Sequence, residues 1–220
     1  EIYQGLNLGM HEIRRFRHAN RINHIILITD GRTYGDENQC YQLADEASAL
    51  GIGISGLGIG TKWNDVFLDS LATQTGGSSV YVSHAGDIKQ FLWQKFSGLG
   101  RVYAERVNLE LFFNPGIELT YAFRLSPEVS PLLNFSPIPI GNIPLKSNLT
   151  VLLELKAPPL YNSVEQLTLA EGKITLDVPG ASKSGLKLPV SLSRPVSTAP
   201  LVQPPPTRLL QAMSRLNLYR

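Results

Sequence analysis

One carboxylate in this sequence has a setting that favours binding chemistry. Asp30 follows the run from His24 to Thr29 and precedes Gly31. Because residues 25–28 are all apolar and mostly β-branched, they predict a strand that is buried on both faces, as in a parallel sheet covered by helices. Asp30 would then lie at the carboxyl end of that strand, which is the edge where open α/β sheets bind ligands. It is therefore either a site residue or the first residue of an Asp-Gly turn.

Helices and strands alternate around this run. The first predicted helix covers residues 4–18, and its apolar face carries Leu6, Met10, Ile13 and Phe16. The other predicted elements are a helix from Cys40 to Leu50, a strand from Ile52 to Ile59, a helix capped by Asn64 or Asp65 and ended by Gly76-Gly77, a strand from Val80 to Val82, and a helix capped by Asp87. Such alternation indicates a parallel sheet, and three strands amount to about half of a doubly wound domain.

Four of these features occur in an order and spacing that a known family shares. They are the Gly5-Leu6 opening of a helix, the Ile25 to Gly31 strand with its Thr-Asp-Gly ending, the Gly53 to Gly60 strand, and the Leu71 to Gly77 helix end. With them, residues 2–96 resemble the second half of a von Willebrand factor type A (VWA) domain. The resemblance implies half of a Rossmann-like, doubly wound sheet.

The resemblance also implies a metal site. In the family, the Thr-Asp-Gly aspartate, here Asp30, belongs to a metal-ion-dependent adhesion site that holds Mg²⁺ or Mn²⁺. The family's other ligands, in an Asp-x-Ser-x-Ser loop and a threonine, have no match in this chain, and we expect them to precede Glu1. Mg²⁺ prefers near-octahedral oxygen coordination, so Asp30 alone is expected to bind it weakly. A tight site would need those residues and a carboxylate from a protein partner.

The same resemblance predicts an open seam in the sheet. The family strand that would flank residues 25–30 is not in this sequence, so one side of the Ile25 to Asp30 strand should offer unpaired backbone groups. We expect that side to be covered by the missing half of the domain, by a second copy of the chain, or by another protein chain.

Composition excludes several classes of protein. The 220 residues are 43% hydrophobic, and 20 basic against 18 acidic side chains give a net charge of +2. This balance is typical of a globular protein and favours neither nucleic acid nor a membrane surface as partner. Cys40 is the single cysteine, so an internal disulfide framework is excluded, and we expect it to be a buried apolar residue. A cytoplasmic location is preferred to an extracellular one.

The pattern changes after Gly98. Apolar and polar residues alternate from Val107 to Phe113 and, after a turn at Asn114-Pro115-Gly116, from Ile117 to Leu125. A proline-rich loop from Pro127 to Pro144 is predicted next, followed by further short strands within residues 149–192, so we expect a β-sandwich of about six strands. The predicted domains are 1–98 for the partial VWA domain, 99–194 for the sandwich, 195–206 for a proline-rich linker, and 207–220 for the start of a helical segment.

Several other motifs are better explained by structure than by chemistry. Residues 51–56 match G-x-G-x-x-G, but they fall within a strand pattern, where glycines allow a helix to approach closely. His24 and His84 are interpreted as loop residues, and Asp36 and Glu37 as the N-terminal cap and dipole partner of the helix that follows them. The basic cluster Arg14, Arg15, Arg17, His18 and Arg21 is interpreted as a solvated helix face.

These observations favour a non-enzymatic module that binds proteins, in an adhesion or scaffold role, with metal-dependent binding only if the missing half is supplied. The alternative is an accessory VWA subunit of an AAA-type ATPase or chelatase machine. A small-molecule enzyme that uses the glycine-rich strand is the third hypothesis, and the context of the glycines disfavours it.

Overall fold

The computed structural model describes residues 2–17, 22–30, 34–60, 65–98, 102–159, 165–181, 183–196 and 204–216. Within these ranges, helices and parallel strands alternate up to residue 98, and antiparallel strands follow from residue 102 to residue 195. The predicted fold class, half of a doubly wound α/β domain followed by an antiparallel β-sandwich and a short helix, is confirmed.

The α/β segment contains four helices and three parallel strands. Strand order is β1-β2-β3, with His24 opposite Gly53 and Gly56 opposite Ser79. In chain order the elements are α1 (Ile2–Phe16), β1 (His24–Thr29), α2 (Glu37–Ala49), β2 (Gly53–Ile59), α3 (Asp65–Thr75), β3 (Ser79–Val82) and α4 (Ala85–Gly98). Asp87 lies within the first turn of α4. Its predicted capping role is therefore wrong, because a capping residue lies directly before the helix.

Helices cover both faces of this sheet. On one face, α1, α2 and α3 enclose a core that includes Leu6, Met10 and Phe67. On the other face, α4 packs Phe91 against Leu57 and Val82. Phe16 departs from the prediction, because it is 70% exposed at the last residue of α1, where the helix ends.

The prediction that the Ile25 to Ile28 strand is buried on both faces holds in part, because Ile25 and Leu27 pack against the core on one face and Ile26 against the core on the other, whereas Ile28 is exposed. β1 is the edge strand of the described sheet, its residues are mostly half-buried, and Ile28 is 46% exposed. β2, which has a strand on each side, is buried along almost its whole length. The apolar composition of β1 therefore suits a central strand, whereas its place among the described strands is at an edge.

The glycines of β2 act as expected from their strand context. A Cβ atom at Gly56 would lie 3.1 Å from the Cβ atom of Leu68, which belongs to α3. Because α3 packs this closely, the strand accepts little more than a hydrogen atom at that position. Helix-on-sheet packing thus accounts for Gly56, whereas a Cβ atom at Gly53 would lie 2.5 Å from Nδ1 of His24 on the neighbouring strand β1.

The sandwich consists of a four-stranded and a three-stranded antiparallel sheet. Strand order is β10-β9-β4-β7 in the first sheet and β6-β5-β8 in the second. The strands are β4 (Val102–Phe113), β5 (Glu118–Ser126), β6 (Ser130–Pro131), β7 (Ile138–Pro144), β8 (Thr150–Lys156), β9 (Gln166–Val178) and β10 (Lys183–Pro195). Their inner faces form one core that includes Val107, Leu111 and Ile138.

Two details of the predicted sandwich are corrected. The apolar stretches within residues 167–178 form the single strand β9, which pairs with both β4 and β10. The proline-rich segment predicted as a loop contains β6 and β7. Since β7 is an edge strand paired only with β4, it tolerates Pro139 and Pro144, which cannot donate a backbone hydrogen bond.

The last described helix, α5 (Thr207–Leu216), contacts the sandwich through Ala212. This residue packs with Leu125 against Phe123 and Leu152 of the three-stranded sheet. None of the helices in the described ranges is both long and apolar enough to cross a membrane.

Candidate functional site

Asp30 lies where the sequence predicts it, directly after the carboxyl end of β1. Its side chain is exposed, and the carboxyl ends of β2 and β3 reach the same edge of the sheet. This is the edge at which parallel α/β sheets present ligand-binding groups. The structure therefore gives Asp30 a position suited to binding.

The described residues do not fit the metal ion that the VWA resemblance implies. Nowhere in the described ranges do three His, Cys, Asp or Glu side chains lie together in a group that could hold a metal. A magnesium ion needs several oxygen ligands in near-octahedral geometry, and Asp30 supplies at most two. Its role as a metal ligand remains a prediction that depends on residues outside those described here.

The nearest acidic residues in sequence, Asp36 and Glu37, are engaged elsewhere. The Asp36 Oδ2 atom accepts a hydrogen bond of 2.9 Å from the backbone N–H of Tyr3, and Glu37 Oε2 accepts one of 2.9 Å from the backbone N–H of Gly35. The Asp36 side chain makes no capping hydrogen bond to α2, so the prediction that it caps this helix is wrong. It satisfies an N–H in the first turn of α1 instead, because the loop after β1 carries it there.

Cys40 is buried in the core of the α/β segment, as predicted. Burial, together with the negative charges of Asp36 and Glu37, raises the pKa of its thiol to about 11. The thiolate is therefore scarce at neutral pH, and the residue is not a nucleophile.

The basic residues of α1 are paired within the molecule. Arg14 forms an ion pair with Glu46, Arg15 with Glu12, and Arg17 donates a hydrogen bond of 3.0 Å to the carbonyl oxygen of Leu50. The charged side chains of both ion pairs are about half exposed or more. A solvated helix face is the better description of this part of the cluster, while His18 and Arg21 lie outside the described residues.

The β1 edge carries an apolar surface on the face covered by α4. Ile26 packs against the cluster that Phe91 of α4 forms with β2 and β3, and Ile28, two residues further along β1, is exposed. The edge strand therefore presents an apolar side chain next to its backbone.

At the opposite, amino end of the strands lies a buried polar cluster that the sequence did not predict. His24 Nε2 lies 2.9 Å from Ser55 Oγ, and Ser55 Oγ lies 3.3 Å from Lys95 Nζ. Lys95 Nζ also donates to Ser78 Oγ at 2.5 Å and forms an ion pair with Glu128 of the sandwich, in which the Lys95 side chain is buried and the Glu128 side chain is partly exposed. Five polar side chains from five separate segments therefore form one hydrogen-bonded chain.

The protons in this chain can be assigned by counting donors. Ser55 Oγ accepts one hydrogen bond from Lys95 and one of 3.2 Å from the backbone N–H of Ser78. Its own proton is then free to go to His24 Nε2, so the neutral imidazole carries its hydrogen on Nδ1. Ser78 Oγ in turn accepts from Lys95 and donates to Glu128 Oε2 at 2.9 Å.

Burial and charge fix the ionisation of the two ends of the chain. Burial, reinforced by the charge of Lys95, lowers the pKa of His24 to about 4. Burial alone would raise the pKa of Glu128, but the charge of Lys95 and the hydrogen bonds from Lys95 and Ser78 lower it below its usual value. At neutral pH the imidazole is therefore neutral and Glu128 is a carboxylate. Burial lowers the pKa of Lys95, while the charge of Glu128 and the hydrogen bond to it act in the opposite direction and favour the ammonium.

A cavity of roughly 360 Å³ lies beside this cluster, between the α/β segment and the sandwich. His24, Lys95, Arg124, Glu128 and Asn142 are among its lining residues. Ser55 and Ser78 are buried, and both hydroxyl protons are engaged. Neither serine is among the residues that line the cavity, so we interpret both as structural. Sequence reasoning placed His24 in a loop, but it is the first residue of β1, and only the fold brings Ser55 and Lys95 to it.

Comparison with known proteins agrees with the fold. Residues 1–94 match the model of the von Willebrand factor type A domain family. An uncharacterized protein from Synechocystis sp. is 26% identical over 194 residues, which cover 84% of this chain and 46% of that protein. The chain therefore spans less than half the length of this relative.

Solved structures show the same fold at low sequence identity. The von Willebrand factor type A protein from Catenulispora acidiphila superposes with a TM-score of 0.55 and 16% identity over 78% of this chain and 42% of its own. The human COPII-coat protein Sec24c gives a TM-score of 0.52 and 14% identity over 90% of this chain and 29% of its own. Both coverages exceed the 94 residues of the family match, so the likeness extends into the sandwich.

Proposed function

Since residues 1–94 match the von Willebrand factor type A domain family, we propose that this chain is a non-enzymatic protein-interaction module, of adhesion or scaffold type, that binds at the β1 edge of its sheet. VWA domains are in general protein-interaction modules. The observation that carries the proposal is the position of β1, an apolar strand with no further described strand on its outer side.

The chemistry of this edge defines the partner. An edge strand offers backbone N–H and C=O groups to another strand, so the partner is an extended polypeptide segment. The exposed Ile28 favours an apolar side chain on one face of that segment. Asp30 at the end of β1 adds a carboxylate, which serves a metal only when further ligands are supplied.

Self-association of the chain, measured without any other partner, tests whether the β1 edge pairs with another strand. A second copy of the chain offers the same strand, so we expect reversible dimerisation that Ile28→Lys weakens about tenfold or more, because a charge on an edge strand opposes pairing. Leu188→Lys is the matched control, since Leu188 is 51% exposed on the edge strand β10 of the sandwich. Sedimentation equilibrium would contradict the proposal if the chain stays monomeric, or if both substitutions act equally.

Titration calorimetry with MgCl₂ tests metal binding separately from the interaction at β1. We expect little heat from this chain, and measurable affinity from a longer form of the protein in which residues precede Glu1. Asp30→Ala should abolish that affinity. If the longer form binds Mg²⁺ equally well with alanine at position 30, Asp30 is not a ligand, whereas the interaction at β1 would be unaffected.

A further inference from the structure

The sandwich contacts the α/β segment at the amino ends of its parallel strands, opposite the edge that carries Asp30. His24 and Gly53 begin β1 and β2, and Gly77 precedes β3, and all three line the cavity between the two parts. The contacts are polar and involve the backbone turns that lead into the strands. Among the described residues, the sandwich therefore leaves uncovered the carboxyl ends of the parallel strands, where Asp30 lies.

Arg124 of β5 is the centre of this junction. Its guanidinium is 3% exposed and donates to the carbonyl oxygens of Gly76 at 2.6 Å and Gly77 at 2.7 Å, both in the turn between α3 and β3. The same group donates to the carbonyl oxygens of Ile140 at 2.5 Å and Glu128 at 3.2 Å within the sandwich. A buried cation needs all of these acceptors, so neither part alone satisfies it.

Further hydrogen bonds join the two parts at separate turns. Asn142 Nδ2 donates to the carbonyl oxygen of Gly51 at 3.2 Å, and Ser130 Oγ donates to that of Gly77 at 3.1 Å. The Lys95–Glu128 ion pair adds a charged contact from α4. Three different segments of the α/β part are thus held by three strands or loops of the sandwich.

The closest approach is between two glycines. A Cβ atom at Gly76 would lie 2.3 Å from the Cα atom of Gly141, and a Cβ atom at Gly141 would lie 2.3 Å from the carbonyl oxygen of Gly76. Both residues have positive φ angles, of 67° and 92°. The two backbones therefore touch directly, which leaves no room for relative sliding without breaking the surrounding hydrogen bonds.

We propose that the sandwich and the α/β segment form one cooperative folding unit, in which the Arg124 contacts and the Lys95–Glu128 pair transmit stability from one part to the other. The α/β segment depends on the sandwich to satisfy its buried turn carbonyls and Lys95. The sandwich depends on the α/β segment for two of the acceptors of Arg124. This coupling is independent of whether β1 binds a partner.

Hydrogen exchange measured by mass spectrometry on the whole chain tests the proposal. The perturbation is Leu111→Ala, in the sandwich core, which should lower protection there about thirtyfold or more. The reporter is β2, in the α/β segment. When the junction is unaltered, we expect hydrogen-exchange protection in β2 to fall by the same factor, because unfolding of the sandwich also unfolds the α/β segment.

The junction variant Lys95→Met combined with Glu128→Gln provides the decisive background. Both charges are removed together, so neither is left buried without its partner. In this background we expect Leu111→Ala still to reduce hydrogen-exchange protection in the sandwich. The loss of protection that it causes in β2 should be at least about tenfold smaller than when the junction is unaltered. Arg124→Gln, which keeps two donors, is the second junction variant, and loss of protection in both parts on this single change would also support the proposal.

Two results would overturn it. The first is that Leu111→Ala leaves β2 unchanged in the unaltered junction, which would show that the parts open independently. The second is that the effect on β2 is the same with and without the junction substitutions. The pair Glu110–Lys173, an ion pair within the sandwich at 2.9 Å, supplies the control. Glu110→Gln combined with Lys173→Met should leave the coupling intact.

Discussion

The imidazole of His24 lies 2.9 Å from the hydroxyl oxygen of Ser55, and the acceptor role assigned to the imidazole makes the stability of the protein depend on pH. A protonated His24 would present a third donor to an oxygen that already accepts hydrogen bonds from Lys95 and from the Ser78 backbone. Ser55 would have to turn its own proton elsewhere within a buried cluster. The folded state therefore resists protonation of His24.

Protein stability should fall as the pH is lowered from 6.5 to 4. The pKa of His24 is about 4 in the folded state, against 6.5 for an unperturbed histidine. In this window the unfolded state binds the extra proton, so the free energy of unfolding decreases by up to about 1.4 kcal/mol per pH unit. Urea denaturation of the protein and of His24→Gln, which keeps an acceptor but does not titrate, measures the difference. His84→Gln is the exposed control, and the prediction fails if it flattens the profile equally.

Gly77→Ala should be strongly destabilising. The added Cβ atom would lie 1.9 Å from the carbonyl oxygen of Ile54, in a turn that also serves Arg124. We expect a loss of more than about 3 kcal/mol in the free energy of unfolding, since backbone must move to make room. Gly5→Ala in α1 is the matched control. With nothing within 4 Å of its Cβ, it should gain about 0.5–1 kcal/mol from helix propensity, and a similar loss at both sites would refute the clash.

Asp36→Ala should destabilise the first helix although Asp36 is far from it in sequence. Its carboxylate accepts the backbone N–H of Tyr3, so its removal leaves a first-turn donor of α1 without this acceptor. We expect a loss of about 1 kcal/mol, typical of a helix cap. Asp36→Asn retains an acceptor oxygen and should lose less. Thermal unfolding of the two variants compares them, and equal losses would exclude the cap.

Cys40 should react with a thiol reagent only after unfolding. The side chain is fully buried, and its pKa of about 11 leaves little thiolate at neutral pH. We expect the absorbance change with Ellman's reagent to be slow in the native protein and complete within the mixing time in guanidinium chloride. Rapid reaction of the native protein at the same pH would mean that α2 opens readily.

Local patterns predicted much of the fold. The apolar spacing of the helices, the three alternating strands and the place of Asp30 could be predicted because each depends on residues close in sequence. Gly56 was correctly linked to helix packing for the same reason. The apolar composition of residues 25–28 predicted burial on both faces, while the family resemblance predicted that one side of the strand is open. The exposure of Ile28 at the edge strand agrees with the second prediction, which composition alone could not supply because burial of a strand depends on what pairs beside it.

The polar cluster could not have been predicted from this sequence. His24, Ser55, Lys95 and Glu128 belong to separate elements, follow no periodic pattern and match no motif. Their types are also compatible with ordinary surface positions, as the interpretation of His24 as a loop residue illustrates. β7 was missed for a different reason, since the prolines that argue against a central strand are compatible with an edge strand.

The direct contact of Gly76 with Gly141 has a consequence for how this protein can evolve. At most interfaces, a larger residue on one side can be accommodated by a smaller one on the other, so the two positions vary together. Here both sides are already at the minimum, and each also needs a left-handed backbone conformation. No compensating exchange exists, so a change at either position must alter the distance between the two parts.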